Sequence, residues 1–118
     1  MDIETIRTYC MNKPGVSEGM PFDQCTLVFK VANKMFAATN ICNFESINVK
    51  YPAEDIEELR AVHIAVLPGY HMSKKHWNTI ELKSATWDEL KNWIDISYGL
   101  NFANLTKKAK LLIIELHC

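Results

Sequence analysis

The sequence predicts an α+β domain of two layers, in which helices cover one face of an antiparallel sheet of five or six strands. Two observations lead to this fold class. Segments with helical spacing of apolar residues are separated by groups of short strand-like segments, in the order helix, three strands, helix, two strands, helix. Consecutive strands are joined by short turns, which favours antiparallel pairing and leaves the helices to pack on one face.

The length of the chain fits one domain. With 118 residues, of which 48% are hydrophobic, the chain can build a single core. No repeat, low-complexity tract or linker marks a boundary. We therefore treat residues 1–118 as one domain, with about 106–118 as an additional C-terminal segment.

The first helix is predicted at about residues 3–12. Its apolar residues recur at helical spacing behind Asp2, a favourable N-cap residue. Pro14-Gly15 stops the segment, because proline cannot continue a helix.

Three strands are predicted after the first helix. Residues 26–31 alternate, with Leu27, Phe29 and Val31 on one face and Val28 and Lys30 on the other, and the segment 35–41 resumes as a second strand. Between them, Asn33 tolerates a positive φ, which indicates a β-hairpin. Residues 46–51 alternate again and form a third strand with one buried face.

A second helix and two more strands come next. Pro52 suits the first turn of a helix, which is predicted at about 53–62. The apolar segment 66–72 is predicted as a strand that Pro68-Gly69 interrupts near its start, and 77–82 as the following strand.

The third helix is predicted at about residues 87–101. Thr86, followed three residues later by Glu89, forms a capping box before an apolar stripe. The C-terminal segment begins with lysines and ends apolar, which predicts a short last helix. Its apolar run, residues 111–116, can pack on the open face of the sheet or form a dimer contact.

Charge and composition limit the classes of function. The net charge of −1 argues against strong sequence-independent binding of nucleic acid, although a local basic patch stays compatible with it. Residues 1–4 lack the apolar core of a secretory signal, and the longest aliphatic run is residues 111–114, far shorter than a membrane span. We expect a cytoplasmic protein without membrane contact. The four scattered cysteines are expected to be reduced thiols, with a disulfide scaffold as the alternative.

Residues 68–79 are the most distinctive segment. They carry two lysines, two histidines and two amphipathic aromatic residues around a turn, without a carboxylate. Such a segment suits a surface that contacts a ligand better than it suits a core. Side chains alternate along a strand, so Trp77 and Ile80 lie on opposite faces. If the helices cover Ile80, we expect Trp77 on the open face of the sheet.

Two segments, read together, resemble the MmcQ/YjbR family. The first runs from Pro21-Phe22 through Thr26-Leu27-Val28-Phe29-Lys30-Val31 to Lys34-Met35-Phe36-Ala37, and the second is residues 68–79. Pro14-Gly15-Val16 and Ser97-Tyr98 fit the family as well, so the similarity covers roughly residues 1–108.

The resemblance implies a two-layer fold similar to CyaY-like and secretion-chaperone domains, and a weak DNA-binding role of double-wing type. It implies no reaction and no substrate class. The chain departs from the family pattern at two places: Ala32-Asn33 stand where a glycine-rich turn is usual, and Cys25 stands where an acidic residue is common. Both departures concern the first hairpin.

On this basis we expect a weak, largely sequence-nonspecific nucleic-acid-binding surface. Lysines at two hairpin tips would contact phosphates, and aromatic side chains would stack on exposed bases. No Arg/Asn/Gln cluster suited to base edges is evident. The candidate binding residues are Lys34, Tyr70, His71, Lys74, Lys75, His76 and Trp77.

Other classes of function stay open. A protein-interaction module, similar to a secretion chaperone, would dock a partner or a second copy through the open sheet face or the last helix. A small-ligand binder or enzyme would use a groove beside His71 and Trp77, but no nucleophile, base and oxyanion site can be identified together. The histidines lack nearby carboxylate or thiolate donors, and the acidic run 54–58 is typical of a solvated helix. We predict no catalytic residue, metal or cofactor.

Overall fold

Six antiparallel strands form one sheet within residues 1–69 and 72–117, the part of the chain that the computed structural model describes. The strands, in chain order, are β1 (Val16–Gly19), β2 (Thr26–Val31), β3 (Lys34–Asn40), β4 (Ser46–Lys50), β5 (Val66–Pro68) and β6 (Trp77–Glu81). Their order across the sheet is β1-β2-β3-β4-β6-β5. The two edge strands, β1 and β5, have only four and three residues.

Four helices accompany the sheet in the same part of the chain, with a short 3-10 turn after β6. They are α1 (Ile3–Met11), α2 (Ile56–Val62), α3 (Trp87–Ala103) and α4 (Lys107–His117), and the 3-10 turn is Leu82–Ser84. The α+β class, the antiparallel sheet and the two-layer arrangement that the sequence predicts are confirmed.

The core lies between the helices and one face of the sheet. The alternation in the strands decides which residues enter it, since residues two apart point to the same side. The residues in this core include Leu27, Phe29, Val31, Ile47, Val49, Val66 and Ile80 from the sheet, and Ile6, Leu59, Leu90, Trp93 and Ile94 from the helices.

Local signals in the sequence are borne out at several turns and caps. Ala32 and Asn33 have φ values of 48° and 66°, the left-handed conformation that a tight two-residue hairpin requires. Asp2 caps α1 by accepting the N–H of Thr5 at 2.8 Å. Thr86 begins α3 with the expected capping box.

One strand was not predicted, and the bounds of two elements, α2 and β5, differ from the sequence prediction by three or more residues. β1 was not predicted, because its four residues, Val-Ser-Glu-Gly, are too few and too polar to show a pattern; it pairs with β2 from Val16 to Gly19. Helix α2 begins at Ile56 instead of 53. β5 ends at Pro68 instead of continuing to residue 72.

Helix α4 belongs to the helical layer. Thr106 begins it, with its hydroxyl accepting the N–H of Ala109 at 3.1 Å. Ile113 is buried in the core and lies so close to Gly15 that a Cβ there would be 2.9 Å from the Ile113 side chain. The alternative in which this helix covers the open face of the sheet is therefore wrong.

Two of the cysteines form a disulfide, contrary to the expectation of reduced thiols. Cys25, before β2, is bonded to Cys42, between β3 and β4, with their Cα atoms 5.3 Å apart. The two loops emerge at the same end of the sheet, a proximity that sequence spacing does not reveal. Cys10 is a buried free thiol, and burial raises its pKa to about 12. Within the described residues, no helix is long and apolar enough to cross a membrane.

Candidate functional site

Two lysine-bearing turns lie at one end of the sheet. β3 begins at Lys34, and its antiparallel neighbour β4 ends at Lys50. Lys50 pairs with Trp77, the first residue of β6, so the loop carrying Lys74 and Lys75 also reaches this end. Strand β4 alone separates β3 from β6, which puts their ends about 10 Å apart. We call Lys34, Lys50, Lys74 and Lys75 the lysine end.

Lys50 is the partly buried member of the lysine end; the other three are exposed. Its amine donates to Asn101 Oδ1 at 3.0 Å and lies 5.5 Å from the centroid of the Trp77 ring. Burial and, to a lesser extent, the charge of Lys34 lower the pKa of Lys50 below its usual value. No carboxylate among the described residues pairs with any member of the lysine end.

Ser97 of α3 positions the backbone of Lys50. The pairing of β3 with β4 ends at Ala37 and Val49. Beyond this point the Ser97 hydroxyl bridges the two strands. It accepts the N–H of Lys50 at 2.8 Å and donates to the carbonyl of Phe36 at 2.5 Å. A helix side chain therefore replaces a strand-to-strand hydrogen bond at the lysine end.

Asn101, one turn further along α3, fixes the start of β3. Its amide donates to the carbonyls of Lys34 at 3.2 Å and Met35 at 2.7 Å, while its oxygen accepts from the Lys50 amine. Both α3 side chains are buried. The relative position of Lys34 and Lys50 is thus set by a satisfied polar network, which favours one geometry over many.

Arg60 of α2 holds the loop that precedes β6. Its Nε donates to Asn78 Oδ1 at 2.7 Å, and its Nη2 donates to the carbonyls of Trp77, at 3.0 Å, and Lys74. On the other side, the N–H of Gly69 donates to the Trp77 carbonyl at 2.9 Å. A Cβ at Gly69 would lie 2.7 Å from the Cβ of Trp77, so this close approach requires glycine.

Trp77 does not present its ring to solvent. Its alternation with Ile80 holds, since Ile80 lies in the main core and Trp77 does not join that cluster. The Trp77 residue is nevertheless only 6% exposed, with the Lys50 amine over its ring. The expectation of an uncovered indole is wrong, and stacking of a base on Trp77 is not possible in this conformation. The sequence could predict which face of the sheet the Trp77 side chain lies on. It could not predict that the ring is buried, because residues distant in sequence, such as Lys50, cover it.

The remaining predicted residues divide into two groups. Lys34, Lys74, Lys75 and His76 are exposed. Tyr70 and His71 lie outside the described residues. Sequence reasoning missed Lys50, Arg60, Ser97 and Asn101 as parts of this site. The strand alternation did place Lys50 on the polar side of β4, but nothing local distinguishes it from other strand lysines.

The face of the sheet opposite the helices forms a second concave surface, which we call the open-face groove. It has a volume of about 1300 Å³. Ala38, Asn48 and Thr79 pair in register across its floor, where Thr79 Oγ1 donates to Asn48 Oδ1 at 2.5 Å. Apolar side chains line its walls, among them Phe22, which is 66% exposed, and Leu67.

Charges in the open-face groove nearly balance. Asp23, Glu45, Glu81, Lys74 and Lys83 are the charged residues that line it. Asp23 also caps the turn before β2: hydrogen bonds from the N–H groups of Cys25 and Thr26 lower its pKa. Asp23, Glu45, Glu81 and Lys83 all belong to the end of the sheet opposite the lysine end, and this excess of carboxylates makes that end of the groove poorly suited to phosphate. Any contact with nucleic acid is therefore better placed at the lysine end.

The described residues contain no cluster of three or more His, Cys, Asp or Glu side chains arranged to hold a metal ion.

The chain is similar to uncharacterised bacterial proteins over almost its whole length. A family model described as YjbR matches residues 11–100. The chain is 30% identical over 118 residues to the protein YjbR of Escherichia coli K12, covering 98% of this chain and 100% of that one; the relative is described as uncharacterized. YbdF of Escherichia coli O157:H7, also described as uncharacterized, is 28% identical over 110 residues, 89% of this chain and 88% of its own.

Solved structures agree with the fold. The crystal structure of the Deinococcus radiodurans protein DR2400, with a DUF419 domain, has a TM-score of 0.87 and 34% identity, and covers 94% of this chain and 86% of that one. A Pseudomonas syringae protein has a TM-score of 0.72 at 23% identity, over 86% of this chain and 99% of its own, which is a similarity of fold alone.

Proposed function

The chain belongs to the YjbR family, and from this premise we propose that it binds nucleic acid weakly and without sequence preference through the lysine end. One observation carries the proposal: the lysine-bearing ends of β3 and β6 lie at the same end of the sheet, about 10 Å apart, with Lys50 at the end of β4 between them. The relatives support the family and the fold but add no activity, since the two Escherichia coli proteins are described as uncharacterized.

The chemistry of the lysine end fits phosphate better than bases. Lys34, Lys74 and Lys75 are exposed ammonium groups without carboxylate partners among the described residues, and each can displace a counterion from a phosphate. Trp77 is covered, so base stacking is left to Tyr70 and His71 in this proposal, with His76 as a further phosphate contact. Contact with the phosphate backbone of the nucleic acid alone gives little sequence specificity.

Salt dependence tests the proposal directly. We expect a fluorescently labelled 20-base-pair DNA duplex to bind in a fluorescence-anisotropy titration at low salt, with log K falling linearly against log salt with a slope of about −3 to −4. The variant Lys74→Ala/Lys75→Ala removes two phosphate contacts. Its slope should be shallower by about 2, and its affinity at about 50 mM salt should be roughly 100-fold lower.

A matched variant separates this effect from net charge. Lys83 follows β6 and Lys91 lies in the first half of α3, both at the opposite end of the sheet from the lysine end. Lys83→Ala/Lys91→Ala removes the same charge and should keep the wild-type slope. Equal slopes for the two double variants, or no binding at about 20 mM salt, would contradict the proposal.

The open-face groove supports a second candidate, a protein-interaction module. The observation in its favour is an apolar wall that includes the exposed Phe22 together with nearly balanced charge. An extended or helical segment of a partner would bind there by burying apolar surface. Such binding would be insensitive to salt and weakened by Phe22→Ser, which distinguishes it from binding at the lysine end.

The cytoplasmic location stays part of the proposal. The Cys25–Cys42 disulfide argues against this location, because disulfides are uncommon in reducing compartments such as the cytoplasm. Alkylation of thiols before cell lysis, followed by mass spectrometry of the two cysteines, would report their state in the cell.

A further inference from the structure

We propose that α4 mediates a weak two-fold dimer by packing antiparallel against α4 of a second copy of the chain. The contact would use the face of α4 that carries Lys108, Leu111, Leu112 and Glu115. This surface is separate from the lysine end and independent of nucleic-acid binding.

The four residues share one side of the helix. At 3.6 residues per turn, positions 108, 111, 112 and 115 lie within about 100° of one another, opposite Ile113. Ile113 is 8% exposed and packs into the core beside Gly15. The proposed face therefore points away from the protein's own body, and Leu111 and Leu112 are 49% and 51% exposed on it.

The order of charges on α4 is unfavourable for an isolated helix. Lys107 and Lys108 occupy the first turn, where the helix dipole favours acidic residues, and that turn contains none. Glu115 lies near the C-terminal end, where the dipole favours basic residues. The helix dipole gives no reason for this arrangement.

An antiparallel partner supplies that reason. A two-fold axis passing between Leu111 and Leu112 brings the leucines of the two copies together. Lys108 and Glu115 both lie 3.5 residues from this axis, about 5 Å along the helix. Lys108 of one copy would then face Glu115 of the other, and this pairing would occur twice. A parallel arrangement would instead oppose Lys108 to Lys108 and Glu115 to Glu115, which is repulsive.

The expected dimer is weak. One helix pair buries less surface than the roughly 1,200 Å² typical of stable complexes. We therefore expect a dissociation constant on the order of 10–100 μM, measured by sedimentation equilibrium up to about 1 mM protein.

Charge reversal provides a specific test. Lys108→Glu and Glu115→Lys should each be monomeric, because like charges then meet twice in each homodimer. An equimolar mixture of the two variants should regain a dimer at least as stable as the wild type, since every contact in the mixed pair joins opposite charges. Both substitutions improve the match to the helix dipole, so neither is expected to unfold α4, and loss of self-association would report the lost contact.

Two further variants locate the apolar part of the contact. Leu111→Gln/Leu112→Gln should abolish the dimer, whereas Ile114→Gln should not, although Ile114 is equally exposed at 48% and lies on the flank of α4. Circular dichroism checks that each variant folds. A wild type that stays monomeric at about 1 mM, or a mixture of charge variants that does not associate, would overturn the proposal. So would a dimer that survives both charge reversals, for instance one that uses the open-face groove.

Discussion

At the scale of single residues, Ser97 shows how one small side chain can complete a sheet. Its hydroxyl joins the N–H of Lys50 to the carbonyl of Phe36 and is fully buried. Without it, two backbone groups would lose their partner in a place that water reaches poorly. An unsatisfied buried group costs about 1–3 kcal/mol.

We predict that Ser97→Ala lowers the free energy of unfolding by about 2–4 kcal/mol. The measurement is urea denaturation followed by circular dichroism. Ser17→Ala serves as the control, since Ser17 is exposed on β1 and its substitution should change stability by less than about 0.5 kcal/mol. Equal stabilities of the two variants would mean that Ser97 is not needed to complete the sheet.

Residue roles could be predicted where the signal is local. Asp2, Asn33 and Thr86 act on neighbours within three residues, and each was identified from the sequence. Ser97 acts on residues 47 and 61 positions away. Its partners exist only once the fold is assembled, so no pattern around Ser97 could indicate its role.

At the scale of elements, the Cys25–Cys42 disulfide joins two loops at the end of the sheet opposite the lysine end. It joins the loop before β2 to the loop between β3 and β4, and so ties both ends of the β2–β3 hairpin across 17 residues of sequence separation. Closing a loop of this length restricts the unfolded chain. The stabilisation expected from such a restriction is about 3 kcal/mol.

Reduction should therefore destabilise the protein by about 2–4 kcal/mol in a urea titration with and without dithiothreitol. The variant Cys25→Ser/Cys42→Ser should have the stability of the reduced protein and should not respond to the reductant. A response that persists in this variant would assign the effect to another thiol, and the prediction would be wrong.

Elements with a strong pattern could be predicted, and weak ones could not. The long periodic stripe of α3 and the alternation of β2 and β4 gave their positions within a few residues. β1 has four residues and gains its strand conformation from pairing with β2. The lysine end could be predicted in part: the turns were identified, but only the strand order shows that they meet.

At the scale of the whole molecule, four carboxylates make the free energy of unfolding depend on pH in the acidic range. Hydrogen bonds lower the pKa values of all four carboxyl groups. The chief donor is Thr5 for Asp2 and the Arg7 side chain for Glu18. For Asp23 the chief donors are the N–H groups of Cys25 and Thr26, and for Glu89 the chief donor is Thr86. A pKa that is lower in the folded state means that the unfolded state binds more protons in acid. Their stabilisation is complete above the unfolded pKa values, near 4, and is lost as the pH falls through the folded ones.

We predict that the free energy of unfolding falls steadily between about pH 5 and pH 2. In the variant Asp2→Asn/Asp23→Asn/Glu89→Gln the fall should be smaller, because three of the groups no longer titrate. The control is Glu54→Gln/Asp55→Asn/Glu57→Gln, which removes three exposed charges around the start of α2 and should retain more of the wild-type dependence. Urea unfolding at each pH gives both curves, and identical slopes for the two triple variants would contradict the assignment.

The two edge strands of the sheet have a consequence for behaviour at high concentration. A fibre that grows by adding strands needs a long, straight row of unpaired backbone groups as its template. β1 offers four residues and β5 three, the last of which is a proline that has no N–H to donate. Edges this short are poor templates for amyloid-like growth, so we expect the folded protein to resist ordered aggregation through its sheet at high concentration.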